Sequence, residues 1–183
     1  MAILGLDIST SCTGWCLLSR QGDILDIGYI DLSKKKGLFE KASAVEQYIT
    51  KLSNTHAIEK VFIEENLQSF RSGFSSAQTI STLAKFNGIV SFICFKMFKV
   101  EPIFFNVNSA RKMLGIKLIR KKDGGLPTKE QLRVWAEKNI DYRWPVKVLK
   151  SGPRKGHTVP DPKSYDMIDA YIVCKAGFHS CKQ

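Results

Sequence analysis

The N-terminal stretch MAILGLDISTSCTGWCLLS, residues 1–19, places one carboxylate, that of Asp7, at the end of an apolar segment. Residues 2–8 predict a strand that is apolar except for this side chain. A carboxylate in apolar surroundings is costly unless it is paired, hydrogen-bonded or bound to a cation. The next segment, residues 9–14, is rich in hydroxyl groups and ends in glycine. It allows two interpretations: a turn that cradles a phosphate, or one wall of a metal site.

The rest of the chain predicts an α/β fold, with a five-stranded mixed sheet flanked by helices. The first three strands are joined by short turns and predict an antiparallel meander. Apolar residues at helical spacing then alternate with short apolar runs. The predicted elements are, in order, strands at 2–8, 14–19 and 24–32, a helix at 38–54, a strand at 60–65, a helix at 77–99, a strand at 102–107, and helices at 108–114, 128–139 and 164–174.

The basic residues are concentrated in one segment. The chain has 183 residues and a net charge of +11. Fourteen of its 28 Lys and Arg residues, but only four of its 17 Asp and Glu residues, lie between Arg111 and Lys155, which leaves +10 there and +1 elsewhere. A solvated surface usually mixes both signs, whereas a segment of one sign indicates a polyanionic partner, most simply a nucleic acid.

Cysteine spacing and hydropathy indicate the class of protein. The five cysteines form no CxxC pair and lie far in sequence from the three histidines, so the sequence has no zinc pattern. We therefore expect reduced thiols and a cytoplasmic location, in a bacterium or a phage-infected host cell. The longest apolar run, residues 88–98, contains Lys96 and is too short to span a bilayer. We expect no signal segment, no transmembrane segment and no membrane partner.

Acidic side chains stand in apolar surroundings on three predicted elements: Asp7, either Glu64 or Glu65, and the pair Asp166 and Asp169. The pair is spaced i, i+3, so both carboxylates lie on one face of the last helix. Two such charges 4 Å apart repel by roughly 4 kcal/mol at an effective dielectric near 20. A cation would relieve this repulsion, and oxygen ligands without His or Cys favour Mg²⁺ or Mn²⁺.

Each acid also has a structural explanation. Asp7 alone could hydrogen-bond the turn that follows it, and Asp166 fits the first turn of a helix capped by Ser164, where an acid is favoured by the helix dipole. This explanation is weak for Asp169, which lies among apolar residues. We prefer a joint site because three separate elements would otherwise each need their own explanation.

Four segments, LGLDIST (4–10), TGW (13–15), VFIEE (61–65) and YDMIDA (165–170), resemble in order the motifs of the RuvC-type Holliday-junction resolvases. These enzymes belong to the ribonuclease-H-like (retroviral integrase) superfamily. The resemblance covers nearly the whole chain. It implies a single ribonuclease-H-like nuclease domain over 1–183, with 111–155 as a basic DNA-contacting segment. The length of that segment suggests a phage or viral relative.

The resemblance also implies which residues carry the chemistry. Asp7, Glu64, Asp166 and Asp169 would be both the catalytic residues and the metal ligands, holding two Mg²⁺ ions for which Mn²⁺ can substitute. The family places an aromatic wedge shortly after the second acid, where Phe70 is the first aromatic residue and Leu67 takes the nearest position. The implied nucleic-acid contacts are Phe70, Arg111, Lys112, Lys117, Arg120, Lys121 and Lys122.

The function implied by the resemblance is that of a homodimeric, Mg-dependent endodeoxyribonuclease. It would bind four-way (Holliday) junctions and nick two strands symmetrically, leaving 5′-phosphate and 3′-hydroxyl ends. A related nuclease that acts on flaps, other branched DNA or structured RNA is the main alternative, since the acids would be the same. A non-catalytic nucleic-acid-binding protein has no use for crowded carboxylates. Sugar kinases and actin-like ATPases share a similar first turn but need a second lobe, so we expect no nucleotide cofactor.

Overall fold

A five-stranded mixed sheet forms the centre of the protein, which we describe from a computed structural model. The structure describes residues 2–65 and 77–181. Its elements are β1 (Ala2–Ile8), β2 (Cys12–Ser19), β3 (Ile24–Asp31), α1 (Leu38–Thr55), β4 (Ile58–Glu64), α2 (Ala77–Phe98), β5 (Ile103–Phe105), α3 (Val107–Met113), α4 (Thr128–Asn139), β6 (Val146–Val148), β7 (Thr158–Pro160) and α5 (Lys163–Ser180). The fold class expected from the sequence is confirmed.

The strand order in the sheet is β3-β2-β1-β4-β5. β1 and β2 pair antiparallel because the connection between them is a short turn, and Asp7 lies opposite Gly14 in this pair. β1 and β4 pair parallel, which requires the crossover that α1 supplies. Leu6 lies beside Ile63 in this register, so the residues that follow them, Asp7 and Glu64, are neighbours at the carboxyl ends of the two strands.

Helix α5 covers one face of the sheet, and α1 and α2 cover the other. The residues of each face form a separate apolar cluster. Two glycines let α5 approach the sheet closely. A Cβ atom on Gly14 would lie 2.0 Å from the carbonyl oxygen of Asp166, and one on Gly5 would lie 2.3 Å from the Cβ of Cys174. The position of α5, and therefore of its acids, is set by direct contact with β1 and β2.

Three features near the C-terminus differ from the sequence prediction. Strands β6 and β7 form a hairpin in a region that the sequence predicts as a loop. The strands escape prediction because each has only three residues and the region is rich in proline. The sequence predicts Thr128 as the N-cap of the helix at 128–139, whereas in the structure Pro127 is the N-cap and Thr128 is the first residue of α4. Helix α5 begins at Lys163 and extends to Ser180, so Ser164 lies inside it and donates its hydroxyl to the carbonyl of Asp161 (2.6 Å).

Helix α2 has 22 residues and, within the part of the chain that the structure describes, is the one helix long and apolar enough to cross a membrane. Length and composition are the only grounds, and the core helix of a soluble protein meets both. Phe86, Val90, Ile93 and Cys94 of α2 are buried in the cluster shared with α1. These contacts give α2 a role in the protein core.

Candidate active site

Three carboxylates from three elements meet at the carboxyl ends of the parallel strands β1 and β4. Asp7 ends β1, Glu64 ends β4, and Asp169 lies in α5. Each contributes one oxygen atom to a group whose members all lie within 4.8 Å of one another. We call these three side chains the carboxylate cluster. Glu65, the other candidate, follows β4 and is not part of it. The carboxyl ends of parallel strands are where α/β folds commonly bind ligands.

The carboxylate cluster carries raised pKa values. Burial raises the pKa of Asp7 well above its usual range, and the negative charges of Glu64 and Asp169 raise it further. Burial, followed by the charge of Asp169, raises the pKa of Glu64 to about 7. Such shifts mean that the folded protein resists placing full negative charge on all three groups. A divalent cation would relieve that cost, and an all-oxygen ligand set favours Mg²⁺ or Mn²⁺.

The turn after β1 decides between the two interpretations of Asp7. The Ser9 hydroxyl donates to the carbonyl of Cys12 (2.7 Å) and accepts from the Cys12 amide (3.1 Å). This hydroxyl is therefore engaged within the turn. The Asp7 carboxylate lies instead with Glu64 and Asp169. The arrangement favours one wall of a metal site over a phosphate-cradling turn.

Asp166 borders the carboxylate cluster but does not belong to it. It lies in the first turn of α5, one helical turn before Asp169, and its charge raises the pKa of both Asp7 and Glu64. The thiol of Cys12 lies close enough to its carboxylate to influence its pKa. Burial is the main reason that the pKa of Asp166 is raised, and the Cys12 contact opposes this. The sequence did not single out Cys12, since a lone cysteine beside a turn carries no metal pattern.

Arg111 forms an ion pair with the carboxylate cluster. Its Nη2 lies 3.0 Å from Oδ1 of Asp169, and the two side chains are only 14% and 13% exposed. Burial raises the pKa of Asp169, and the Arg111 charge lowers it. The resemblance implied that Arg111 contacts nucleic acid, whereas the structure places its guanidinium against the Asp169 carboxylate. The guanidinium neutralises part of the cluster's charge.

Lys129 is a second cation near the acids, and no motif or spacing in the sequence marks it. Burial raises the pKa of all four acids, and the positive charge of Lys129 lowers it in each case. Its ammonium group lies 5.5 Å from the ring centroid of Tyr165. No spacing rule links Lys129, at the start of α4, to acids that lie on β1, β4 and α5.

The other predicted nucleic-acid contacts lie on α3 and on the segment after it. Lys112 and Lys117 line a cavity of about 260 Å³ that Arg111 also lines, so this cavity adjoins the carboxylate cluster. Arg120 pairs with Asp123, and Lys121 and Lys122 are exposed in a short 3₁₀ turn. Phe70, like Leu67, lies outside the described residues, so the predicted wedge is not located.

Comparisons with known proteins concern the fold. No family model matches the sequence, and no curated protein matches it. The structure is similar to RuvC of Thermus thermophilus, with a TM-score of 0.62 and 15% identity over 100% of this chain and 96% of that one. The protein has the ribonuclease-H-like fold of RuvC. T. thermophilus RuvC in complex with a Holliday junction substrate gives a TM-score of 0.62 and 14% identity, again over 100% of this chain and 96% of that chain. The yeast mitochondrial Holliday junction resolvase Ydc2 gives a TM-score of 0.56 and 14% identity over 96% and 77% of the two chains. The fold expected from the sequence motifs is confirmed.

The raised pKa of Glu64 predicts how pH affects the metal-free protein. Its pKa moves from the ordinary 4.5 to about 7 on folding, so the folded state binds this proton more tightly between those values. Stability is therefore present at low pH and is lost as the pH rises through this window. The loss from Glu64 is about 3 kcal/mol. Chemical unfolding in EDTA, from about pH 5 to about pH 7.5, measures it.

The matched variant is Glu64→Gln, which cannot titrate at this position and should lose the contribution of Glu64, so that only the smaller decline due to the other acids remains. Added Mg²⁺ should also flatten the wild-type profile, because a bound cation stabilises the charged form of the carboxylate. A wild-type stability that rises across the same window would contradict this account of the cluster.

Proposed function

We propose that this protein is a metal-dependent DNA endonuclease that resolves four-way junctions by paired nicking. The observation that carries the proposal is the carboxylate cluster at the carboxyl ends of β1 and β4, on a fold shared with RuvC and Ydc2. RuvC has been observed with a Holliday junction substrate, and Ydc2 is a Holliday junction resolvase. The large basic excess of this chain fits a nucleic-acid substrate.

The carboxylates fit divalent metal ions. Asp7, Glu64 and Asp169 would hold Mg²⁺, with Asp166 beside them for a second ion, and Mn²⁺ would substitute. When bound, such ions supply the Lewis acidity for in-line hydrolysis of a phosphodiester. Water adds to phosphorus and the bond from phosphorus to the 3′ oxygen breaks, which leaves a 5′-phosphate and a 3′-hydroxyl.

The basic side chains around the cluster would bind and orient the DNA backbone. Lys112 and Lys117 line the cavity beside Arg111, so a phosphate there would lie close to the reacting one. Arg120, Lys121 and Lys122 extend the positive surface beyond this cavity. Contacts to phosphate position the substrate without reading its sequence. Lys129 and Arg111 would reduce the repulsion between the acids and the approaching phosphodiester.

We further propose that the protein acts as a homodimer, because symmetric nicking of two strands requires two active sites. The outer face of α2 is the surface that fits a second copy. Phe92 is 63% exposed and Phe95 is 48% exposed on this face. Gly88 is also exposed there, with no atom within 4 Å of the position a Cβ would take. Exposed aromatic residues beside a small residue allow two helices to pack closely.

The double substitution Phe92→Asp with Phe95→Asp should convert the dimer into a monomer, because it places two carboxylates in an apolar interface. Sedimentation velocity measures the change in mass. The monomer should nick one strand of a junction at a time and lose the paired nicking of two strands in the same junction. Phe39→Asp is the matched control, since Phe39 is 78% exposed on α1. A wild-type protein that is monomeric on DNA would contradict the dimer.

The experiment that tests the proposed function compares cleavage of labelled four-way junction, duplex, flap and structured RNA. Each substrate is incubated with Mg²⁺ or with EDTA, using the wild-type protein and Asp7→Asn. Paired symmetric nicks confined to the junction, dependent on metal and on Asp7, establish a resolvase. Broad cutting of flaps or RNA reassigns the substrate. Cutting of none of them refutes the enzymatic proposal.

A further inference from the structure

The hairpin formed by β6 and β7, residues 146–160, is a two-stranded sheet separate from the central one. Val146 pairs with Pro160, and Val148 pairs with Thr158. The pairing continues one step further, since the Leu149 amide donates to the carbonyl of His157 (3.0 Å). Residues 146–155 belong to the basic segment expected to contact DNA, but no specific contact has been assigned to the hairpin itself.

The hairpin and its base carry charge of one sign. Residues 142–160 include five Lys and Arg residues and no Asp or Glu, and the five are Arg143, Lys147, Lys150, Arg154 and Lys155. All five are exposed. None of them forms an ion pair with a residue that the structure describes. Cations left without acidic partners on an exposed hairpin fit a polyanion.

One face of the hairpin is apolar and exposed. Val146 and Val148 are 56% and 57% exposed. Side chains alternate along a strand and paired residues share a face, so Pro160 and Thr158 lie on the same side as the two valines. Lys147 lies on the opposite side. A two-stranded ribbon fits the major groove of B-form DNA, where apolar side chains contact thymine methyl groups.

The base of the hairpin is anchored near the N-terminal end of α5, the end that carries Asp166 and Asp169. The Asp161 amide donates to the carbonyl of Pro145 (3.0 Å), which closes the base. Trp144, two residues before the hairpin, is 7% exposed and is buried in the apolar cluster between α5 and the sheet. The hairpin ends at Pro160 and α5 begins at Lys163, with Asp166 in its first turn. The hairpin therefore leads directly into the N-terminal end of α5, which carries Asp166 and Asp169.

We propose that the hairpin 146–160 is a DNA-binding ribbon that enters the major groove of the duplex arm next to the cleaved phosphodiester. This inference rests on the proposed function, because it requires a DNA substrate. It also selects DNA over RNA, since the major groove of A-form RNA is too deep and narrow for side chains to read. The lysines and arginines contact the phosphates that flank the groove, and the valine face contacts base edges.

The test compares three variants on a four-way DNA junction. The first removes the hairpin charges (Lys147, Lys150, Arg154 and Lys155 to Ala). The matched control removes four charges near the opposite end of the parallel strands, where α1 and α2 end and β4 and β5 begin (Lys51, Lys60, Lys96 and Lys99 to Ala). The third, Val148→Asp, keeps the hairpin cations and places a carboxylate on the valine face. The readouts are the dissociation constant against salt, and dimethyl sulfate protection of guanine N7, which lies in the major groove.

The hairpin charge variant should bind at least about tenfold more weakly, and its log–log salt slope should fall by up to about 3.6, which is four contacts at about 0.9 each. Guanine N7 protection on one arm should be lost in this variant and in Val148→Asp, while the control keeps both readouts. Wild-type protection of adenine N3, in the minor groove, in place of guanine N7 would overturn the inference.

The outcomes separate this inference from the proposed function. If the wild-type protein cleaves the junction and the hairpin variants keep its salt slope and N7 protection, the ribbon inference is wrong and the nuclease proposal stands. If the wild-type protein neither binds nor cleaves the junction, the proposed function is wrong and the ribbon inference fails with it.

Discussion

Asp7→Asn should abolish cleavage of a four-way junction while leaving binding intact or tighter. Asp7 is the central strand's contribution to the carboxylate cluster, with Glu64 beside it and Asp169 facing it. An amide of the same shape removes one anionic ligand and leaves the basic surface unchanged. We expect a fall in rate of at least about 10²–10³-fold, the scale on which loss of one electrostatic contact to the transition state acts. Single-turnover cleavage and a gel-shift titration measure the two properties.

The same substitution should stabilise the metal-free protein. Burial and the charges of Glu64 and Asp169 raise the pKa of Asp7 well above its usual range, so ionisation of Asp7 opposes folding near neutral pH. Asparagine carries no charge and removes that cost. Mg²⁺ should raise the melting temperature of the wild-type protein, by the equivalent of about 2.7 kcal/mol at one hundred times its Kd. Asp7→Asn should show a higher melting temperature in EDTA and little further gain with Mg²⁺.

Asp141→Asn is the matched control for Asp7→Asn. Asp141 is exposed just after α4, and the same chemical change there should leave both cleavage and the response to Mg²⁺ near wild-type values. If Asp7→Asn cleaves as fast as this control, the metal site is not the carboxylate cluster. If Asp7→Asn responds to Mg²⁺ as the wild-type protein does, the ions bind elsewhere.

The convergence of Asp7, Glu64 and Asp169 could be anticipated from the sequence, because Asp7 and Glu64 each belong to a local pattern. Asp7 and Glu64 each end an apolar strand, and such strands are readable from a few consecutive residues. Asp7 and Glu64 then lie side by side because β1 and β4 pair in parallel, which the crossover helix between them makes possible. For Asp169, a purely structural role at the start of the helix was a weak explanation, because this residue lies among apolar residues that are buried in α5.

The cations around the acids were not predictable in the same way. The pairing of Arg111 with Asp169 joins α3 to α5, and the influence of Lys129 on the acids depends on how α4 packs beside them. The sequence around a lysine or an arginine does not show whether its side chain faces solvent or a carboxylate on another element. The hairpin of β6 and β7 was missed because its three-residue strands are too short to show an alternating pattern.

Gly14→Ala should have the second large effect, on both stability and activity. A Cβ atom at this position would lie 2.0 Å from the carbonyl oxygen and 2.2 Å from the carbonyl carbon of Asp166. Both are backbone atoms, so the N-terminal part of α5 would have to move away from β2. Overpacking of this kind costs about 1–3 kcal/mol and sometimes more. Thermal and chemical unfolding measure the loss.

Movement of α5 would also separate Asp169 from Asp7 and Glu64, since Asp166 and Asp169 lie on the same helix. A displacement of about 1 Å at a reacting centre can cost about 10²-fold in rate. We therefore expect Gly14→Ala to weaken Mg²⁺-induced stabilisation and to slow cleavage by about that factor, measured well below its melting temperature. Folding alone does not explain such a loss, because the protein remains folded in the assay.

Gly37→Ala is the matched control for Gly14→Ala. No atom lies within 4 Å of the position that its Cβ would take. Gly37 is the N-cap of α1 with an extended backbone (φ −98°, ψ 159°), so alanine fits and should cost less than about 1 kcal/mol. If Gly14→Ala behaves like Gly37→Ala in both assays, α5 is not held by its contact with β2. The geometry of the acids would then have to be fixed by the packing of α5 on β1, where Gly5 makes the equivalent close approach.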